Sequence, residues 1–165
     1  MSHPDVRRIL LTRDPKGGLL YQAQCRCKAV AEKALRDVQL RIVQANLPHP
    51  LSPRTFEGFV PNPGLVNIIA KVQRFASLSG PTTLVLLGVT GAGKSHLMEA
   101  IGRQVLAESA WSVRYEQATT FLDRLRDTFN GSSEQSLVEL LDWYQRKKVV
   151  LLDDLGTGMA KDWAI

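Results

Sequence analysis

The chain has little cysteine and no long apolar run, and each absence excludes a class of protein. Its two cysteines, Cys25 and Cys27, are too few and too close in sequence to build a disulfide framework. No apolar run approaches the length of a membrane-spanning helix, and residues 1–8 lack the apolar core of a secretion signal. We therefore expect a cytoplasmic globular protein that does not act in a membrane.

Positive charge is concentrated in the N-terminal third of the chain. Residues 1–54 contain 10 Lys and Arg against 4 Asp and Glu, a net charge of +6, whereas residues 55–165 contain 11 against 12, a net charge of −1. Prolines 48, 50 and 53 mark a connection at this boundary. We predict a basic partner-binding region over residues 1–50 and a second, near-neutral domain over residues 51–165. A basic segment suits nucleic acid or an acidic protein surface, although a solvated basic helix is the alternative explanation.

The basic region is predicted to be a small hairpin followed by a helix. The apolar runs 9–11 and 19–21 flank a turn at residues 14–18. Apolar residues then recur every three or four positions over residues 28–46, which predicts an amphipathic helix. Such a helix either docks on a partner protein or packs on the core of its own chain.

The strongest motif is a complete phosphate-binding loop. Residues 88–95 follow the G-x-x-x-x-G-K-S pattern, after an apolar run at 83–87 that predicts a buried strand and before a predicted helix. Its glycines let backbone N–H groups wrap around a phosphate at a helix N-terminus. Lys94 is predicted to reach the β- and γ-phosphates and Ser95 to bind Mg²⁺. The predicted nucleotide-binding residues are Gly88, Val89, Thr90, Gly91, Ala92, Gly93, Lys94, Ser95 and His96.

Two adjacent carboxylates end a second apolar run. Residues 149–152 predict a parallel strand buried on both faces, and such a strand opens at its carboxyl end into the ligand crevice. Asp153 is predicted to hold Mg²⁺, directly or through water, and Asp154 to orient and deprotonate the attacking water. Lys94 and Asp154 are therefore the predicted catalytic residues. The alternative is that the two acids simply end a strand in a solvated loop.

The remaining segments alternate between strand and helix patterns. We predict helices over residues 66–75 and 121–129, a strand over 111–115, and a last helix that starts at Ser132 or Ser133 and ends at Tyr144. Strands and helices that alternate around a phosphate-binding loop predict an α/β fold with a parallel sheet flanked by helices.

In their order along the chain, these motifs resemble the AAA+ ATPases of the helicase-loader group. That group includes the DnaC-like replicative helicase loaders and the IstB-like transposition helper ATPases. The phosphate-binding loop and the run Val-Val-Leu-Leu-Asp-Asp-Leu-Gly at residues 149–156 resemble the two nucleotide motifs of the group. Residues 52–59 resemble the T-F-x-x-F segment that precedes the ATPase core, and residues 114–126 resemble the second strand and its helix. The resemblance covers about residues 25–165.

The resemblance implies a P-loop NTPase fold and a set of ligands and partners. Residues 51–165 would be a partial AAA+ domain that uses ATP and Mg²⁺ to act on single-stranded DNA and on a replicative helicase or a transposase, self-assembling into a ring or helix in full-length form. Arg124 and Arg126 resemble single-stranded DNA contacts of related ATPases, although each is equally explained as a surface cation. Cys25 and Cys27 resemble half of a zinc ribbon. We expect no bound zinc, because a structural site needs four ligands.

The resemblance also implies parts that would follow Asp154. These are a polar residue on the next strand, an arginine that reaches the γ-phosphate bound to the neighbouring subunit, and a helical lid. The 165 residues do not contain them, and we expect a fragment of a longer ATPase. The main alternative is a binding module that does not hydrolyse ATP, in which nucleotide only sets conformation. A small-molecule kinase is a weaker third alternative.

Overall fold

The computed structural model describes residues 8–13, 19–24, 28–48, 54–61 and 63–156. The N-terminal part contains an antiparallel hairpin of β1 (Arg8–Arg13) and β2 (Leu19–Gln24), followed by α1 (Lys28–Gln44). The predicted hairpin and helix are therefore confirmed. The turn at residues 14–18 and the cysteines at 25 and 27 lie outside the described residues.

The rest of the described chain is a parallel strand pair flanked by helices. Strands β3 and β4 run parallel, with Val113 opposite Val149 and Gln117 opposite Asp153. This arrangement confirms the predicted α/β class. No helix among the described residues has both the length and the apolar character needed to cross a bilayer. In chain order the elements are α2 (Val66–Ala76), α3 (Lys94–Glu108), β3 (Val113–Gln117), α4 (Ala118–Phe129), α5 (Leu137–Gln145) and β4 (Val149–Asp153).

Helix α1 packs into the same core as the strand pair. Its Val38 and Ile42 are buried together with residues of α2, α3, β3 and β4. Beyond the end of the helix, Leu47 fits closely against Gly102 of α3, where a Cβ in place of the glycine hydrogen would come within 2.8 Å of the leucine side chain. Of the two alternatives for this helix, packing on its own chain is therefore observed. Its exposed Leu40 and Val43 leave a second apolar strip on the outside.

The end of α1 also covers the outer edge of β3. The amide of Tyr115 donates to the carbonyl of Ala45 at 2.7 Å, and the Asn46 side-chain amide donates to the carbonyl of Tyr115 at 3.2 Å. Asn46 has φ 56°, a left-handed conformation that asparagine adopts more readily than most residues. Because these bonds satisfy the backbone N–H and C=O of Tyr115 at the strand edge, β3 needs no further strand partner at this residue.

The run at residues 83–87 is not a buried strand, which corrects the prediction. It makes no strand pairing, and Val85 and Leu87 are 66% and 91% exposed, while Leu84 and Leu86 pack against the core. Burial on both faces requires helices packed on both sides of a sheet, and the side of the run that carries Val85 and Leu87 has no such cover among the described residues, which also pair no strand with it. For the same reason β4 is not buried on both faces, since Val150 is 38% exposed.

The last helix begins later than predicted. Its N-cap is Ser136, whose hydroxyl accepts from the amide of Glu139, while the Glu139 carboxylate accepts from the amide of Ser136. This reciprocal capping box follows the S-x-x-E spacing, a signal that favours Ser136 over Ser132 and Ser133.

A buried glutamate joins β3 to α4 and α5. Glu116 is 2% exposed and accepts hydrogen bonds from Tyr144, Arg114 and Arg124. Burial is the largest single influence and opposes ionisation, but the hydrogen bonds from Tyr144 and Arg114, together with the charges of Arg114 and Arg124, hold the pKa of Glu116 below its usual range. Burial, followed by the bond to Glu116, raises the pKa of Tyr144 to about 12.

We predict that Glu116→Gln lowers the free energy of unfolding by about 1–3 kcal/mol at neutral pH, because two arginines lose their buried charge partner. A group with a lowered folded-state pKa stabilises the fold above its unfolded pKa of about 4.3, and this contribution is lost as the pH falls through the folded-state pKa. Urea unfolding between pH 3 and 8 should therefore show a difference in the free energy of unfolding between variant and wild type, and this difference should disappear at acid pH. Glu134→Gln, an exposed loop position, is the matched control; a difference independent of pH would contradict this account.

Candidate nucleotide-binding site

The phosphate-binding loop has the backbone that its glycines allow. Gly91 and Gly93 have φ of 81° and 86°, in the left-handed region that side chains disfavour. The amide of Ala92 donates to the carbonyl of Val89 at 3.2 Å, which closes a turn within the loop. Helix α3 then begins at Lys94, with Gly93 as its N-cap. The free amides of this helix start are therefore available to a phosphate group.

Lys94 is folded back over the loop. Its Nζ donates to the carbonyls of Gly88 and Val89, both at 2.9 Å. These acceptors hold the ammonium group within the loop itself. Binding of a phosphate chain would exchange neutral carbonyl acceptors for charged oxygens, which form stronger hydrogen bonds with an ammonium group.

The T-F-x-x-F segment lies directly against the loop and the helix. A Cβ added to Gly93 would come within 2.5 Å of the Phe59 ring, so only glycine fits under that ring. His96, one of the predicted nucleotide-binding residues, lies with Nε2 2.8 Å from the carbonyl oxygen of Thr55 and packs edge-on against Phe59. The structure thus places the His96 ring on the segment that precedes the core, and its contact with nucleotide stays a prediction.

Asp153 is buried at the end of β4 and held by two donors. It is 5% exposed; the Tyr115 hydroxyl donates to its Oδ2 at 2.5 Å and the Asp154 amide to its Oδ1 at 3.0 Å. Burial, followed by the bond to Asp153, raises the pKa of Tyr115, so its hydroxyl keeps the proton that it donates. Sequence reasoning missed Tyr115, because it alternates with the charged residues Arg114 and Glu116 and therefore has the pattern of an ordinary core residue of the strand.

Asp154 leaves the strand in a different direction. It is exposed and has φ 56°, a left-handed conformation that aspartate, like asparagine, adopts more readily than most residues other than glycine. The turn separates the two carboxylates, one buried and fixed, the other at the surface. Its predicted role with the attacking water stays a prediction.

The two predicted DNA-contact residues lie on α4 and are engaged in ion pairs. Arg124 bonds Glu116 at 3.3 Å and the Tyr144 hydroxyl at 3.2 Å, and its guanidinium lies 5.5 Å from the centre of the Trp143 ring. Arg126 pairs with Asp123 at 3.1 Å. Arg124 thus has a structural role, and contact with DNA by either residue stays a prediction.

These residues fit a Mg²⁺–nucleotide pair. The left-handed Gly93 and the start of α3 form a cradle for phosphate, and Asp153 supplies a buried carboxylate. No group of three or more His, Cys, Asp or Glu residues within the described part of the chain could hold a metal alone. Mg²⁺ usually binds through one or two protein oxygens together with phosphates and water, so Ser95 and Asp153 would suffice as the protein ligands, and their contact with Mg²⁺ stays a prediction.

A glycine-cradled helix start beside a parallel strand pair, with an acid at the strand end, defines a nucleotide-binding protein of the P-loop NTPase class. Comparison with protein families gives a more specific result, because residues 28–161 match the family described as IstB-like ATP binding protein. The chain belongs to this family, which is part of the AAA+ group that the sequence resembles. It is therefore an ATP-binding protein.

Individual relatives come from DNA replication and from insertion sequences. A putative insertion sequence ATP-binding protein of Sinorhizobium fredii is 30% identical over 76% of this chain and 41% of its own length. Two chromosomal replication initiator proteins DnaA are also similar. That of Gluconobacter oxydans is 32% identical over 72% of this chain, and that of Leptospira biflexa is 36% identical over 44%. The chain spans only 25% and 17% of the length of these two initiators.

We predict that Tyr115→Phe raises the Mg²⁺ concentration needed for half-maximal ATP binding about tenfold, the size of effect seen when a hydrogen-bond partner of a metal ligand is removed. The phenylalanine keeps the packing of β3 but leaves Asp153 with a single donor. A Mg²⁺ titration of the affinity for a fluorescent ATP analogue would measure this change. Tyr144→Phe removes the same kind of bond from Glu116 and should leave the titration unchanged; equal curves for both variants would contradict the role of Tyr115.

Proposed function

We propose that this protein is a Mg²⁺-dependent ATPase that acts on DNA together with a protein partner. The observation that supports this proposal best is the pairing of a glycine cradle at the start of α3 with a buried carboxylate, Asp153, held in place by Tyr115. A binding module without catalysis needs the cradle, whereas a carboxylate fixed by two donors suits a metal that has to keep its position during reaction.

Each residue has a defined task in this proposal. Loop amides and Lys94 bind the phosphate chain, and Ser95 and Asp153 would hold Mg²⁺. Bound Mg²⁺ would neutralise the charge that develops on the transferred phosphoryl group. Asp154, exposed and turned away from the strand, orients the attacking water and accepts its proton. The resemblance also implies an arginine that a neighbouring subunit supplies to the γ-phosphate.

For the biological task, we propose a loader of a replicative helicase that acts on single-stranded DNA and assembles into a ring or helix. The basic region at residues 1–50 and the exposed Leu40 and Val43 of α1 are the proposed partner surface. Arg124 and Arg126 are the proposed DNA contacts on α4. We place the protein in the cytoplasm, where these partners occur.

A transposition helper is the second candidate. It is favoured by the similarity to the insertion sequence ATP-binding protein of Sinorhizobium fredii. The two tasks use the same ATP site and differ in the partner. Pull-down of the purified full-length protein with a replicative helicase, and separately with a transposase, distinguishes them.

We predict that Lys94→Ala lowers ATP affinity about 100-fold, because the loop loses the charged group that binds phosphate. Asp154→Asn should bind ATP normally and lower the hydrolysis rate about 100-fold, since the general base is lost. ATP affinity measures the first effect, and the rate of phosphate release, with and without single-stranded DNA, measures the second. Lys71→Ala, at an exposed position of α2, is the control. Tight binding without turnover in every condition would replace the ATPase proposal with the binding module.

A further inference from the structure

Pro48 and residues 54–59 contact a single stripe of α3. Their contacts with the helix follow one another in order, towards the phosphate-binding loop; residues 49–53 lie outside the described part of the chain. Successive contacts on α3 are separated by three or four residues, the spacing of one helical face. The pairs are Pro48 with Arg103, Arg54 with Glu99, Thr55 with His96, and Phe59 with Gly93.

At the end of this stripe that is farthest from the phosphate-binding loop lies a fully buried ion pair. Arg103 and Glu99 are 1% and 0% exposed, and Arg103 donates twice to Glu99 Oε1, at 2.6 and 3.0 Å. Arg103 also donates to the carbonyl of Pro48 at 2.8 Å, and Glu99 accepts from the amide of Arg54 at 3.2 Å. The backbone at Pro48 and at Arg54 is therefore fastened to one buried pair. An ion pair with this burial has a high desolvation cost, so backbone anchoring gives it a task that apolar side chains cannot perform.

At the end of the stripe next to the phosphate-binding loop, residues 55–59 form a compact turn that covers the loop. Thr55 is 2% exposed, and its Oγ1 accepts from the amide of Gly58 at 3.3 Å. The amide of Phe59 donates to the carbonyl of Phe56 at 3.2 Å. These bonds fix the Phe59 ring above Gly93, the residue that must hold a left-handed φ for the loop to close around phosphate.

We propose that residues 54–59 form a strap that holds the phosphate-binding loop in its binding shape. Glu99 and Arg103 anchor the strap as positioning residues, and Phe59 transmits the constraint to Gly93. This inference rests on the nucleotide binding of the proposed function. The strap restricts the conformations of the empty loop. The loss of conformational entropy when a phosphate chain binds is therefore smaller.

The double variant Glu99→Met/Arg103→Met tests the anchor. Methionines of similar length keep the interior filled but cannot bond Pro48 or Arg54, and apolar replacement of a buried ion pair often preserves folding. Affinity is measured for ATP and for inorganic tripolyphosphate, which has no base or sugar. We expect both to bind about tenfold more weakly, with faster hydrogen exchange at residues 54–59 and cooperative unfolding retained. Glu139→Gln, on α5, should bind both ligands like the wild type.

Phe59→Leu leaves the ion pair intact and provides the test if the double variant does not fold. It should also weaken ATP and tripolyphosphate by the same factor. Unchanged affinity in a folded variant would overturn the strap, and so would a loss restricted to ATP, which would indicate a contact with the base. Wild-type protein that binds neither ligand would instead refute nucleotide binding itself, and the strap with it.

Discussion

The buried pair of Glu99 and Arg103 on α3 is the constraint on which the other contacts depend. Two charges removed from water are tolerated only when hydrogen bonds satisfy them, and here the carbonyl of Pro48 and the amide of Arg54 are among their partners. Because those groups belong to the chain just after α1 and to the segment before the core, the pair brings both onto one face of α3. The position of α1 then brings Ala45 and Asn46 to the edge of β3. One helix thus organises the N-terminal region and the phosphate-binding loop.

Strand β3 serves two networks because its side chains alternate between faces. Tyr115 points into the core and holds Asp153 at the end of β4, whereas Glu116 points the other way and binds Arg114, Arg124 and Tyr144. The first network fixes the carboxylate that we propose as the metal ligand, and the second attaches α4 and α5. A shift of one residue in the register of β3 would exchange the two faces, so both networks reinforce the same pairing. The strand therefore relates the geometry of the site to the packing of the helices.

Local sequence signals predicted most of the elements but not the exposure of every strand-like run. The hairpin, α1, α2, α3 and β4 follow from periodicity and from the phosphate-binding motif, and the structure agrees. The run at 83–87 has the composition of a buried strand, yet Val85 and Leu87 are exposed, because burial depends on neighbours that composition does not report. The roles of Tyr115, Phe59 and the Glu99–Arg103 pair escaped sequence reasoning for a related reason. Each acts on a residue distant in the chain, which local spacing does not reveal. The four-residue separation of Glu99 and Arg103 indicates their mutual pairing but neither their burial nor their bonds to Pro48 and Arg54.

The sequence by itself determined the class of chemistry, since G-x-x-x-x-G-K-S and the acids at the end of the run 149–154 specify backbone conformation, charge and helix start within a few residues. It also determined the basic character of the N-terminal region. Only the tertiary structure decided that α1 packs in the core and that Asp153 accepts a hydrogen bond from Tyr115. It also decided that the Lys94 ammonium group donates to the carbonyls of Gly88 and Val89. The packing of α1 and the hold on Asp153 are long-range contacts, formed when burial of apolar surface brings distant segments together. The motif supplies the ligand-binding groups, and the packing sets their positions.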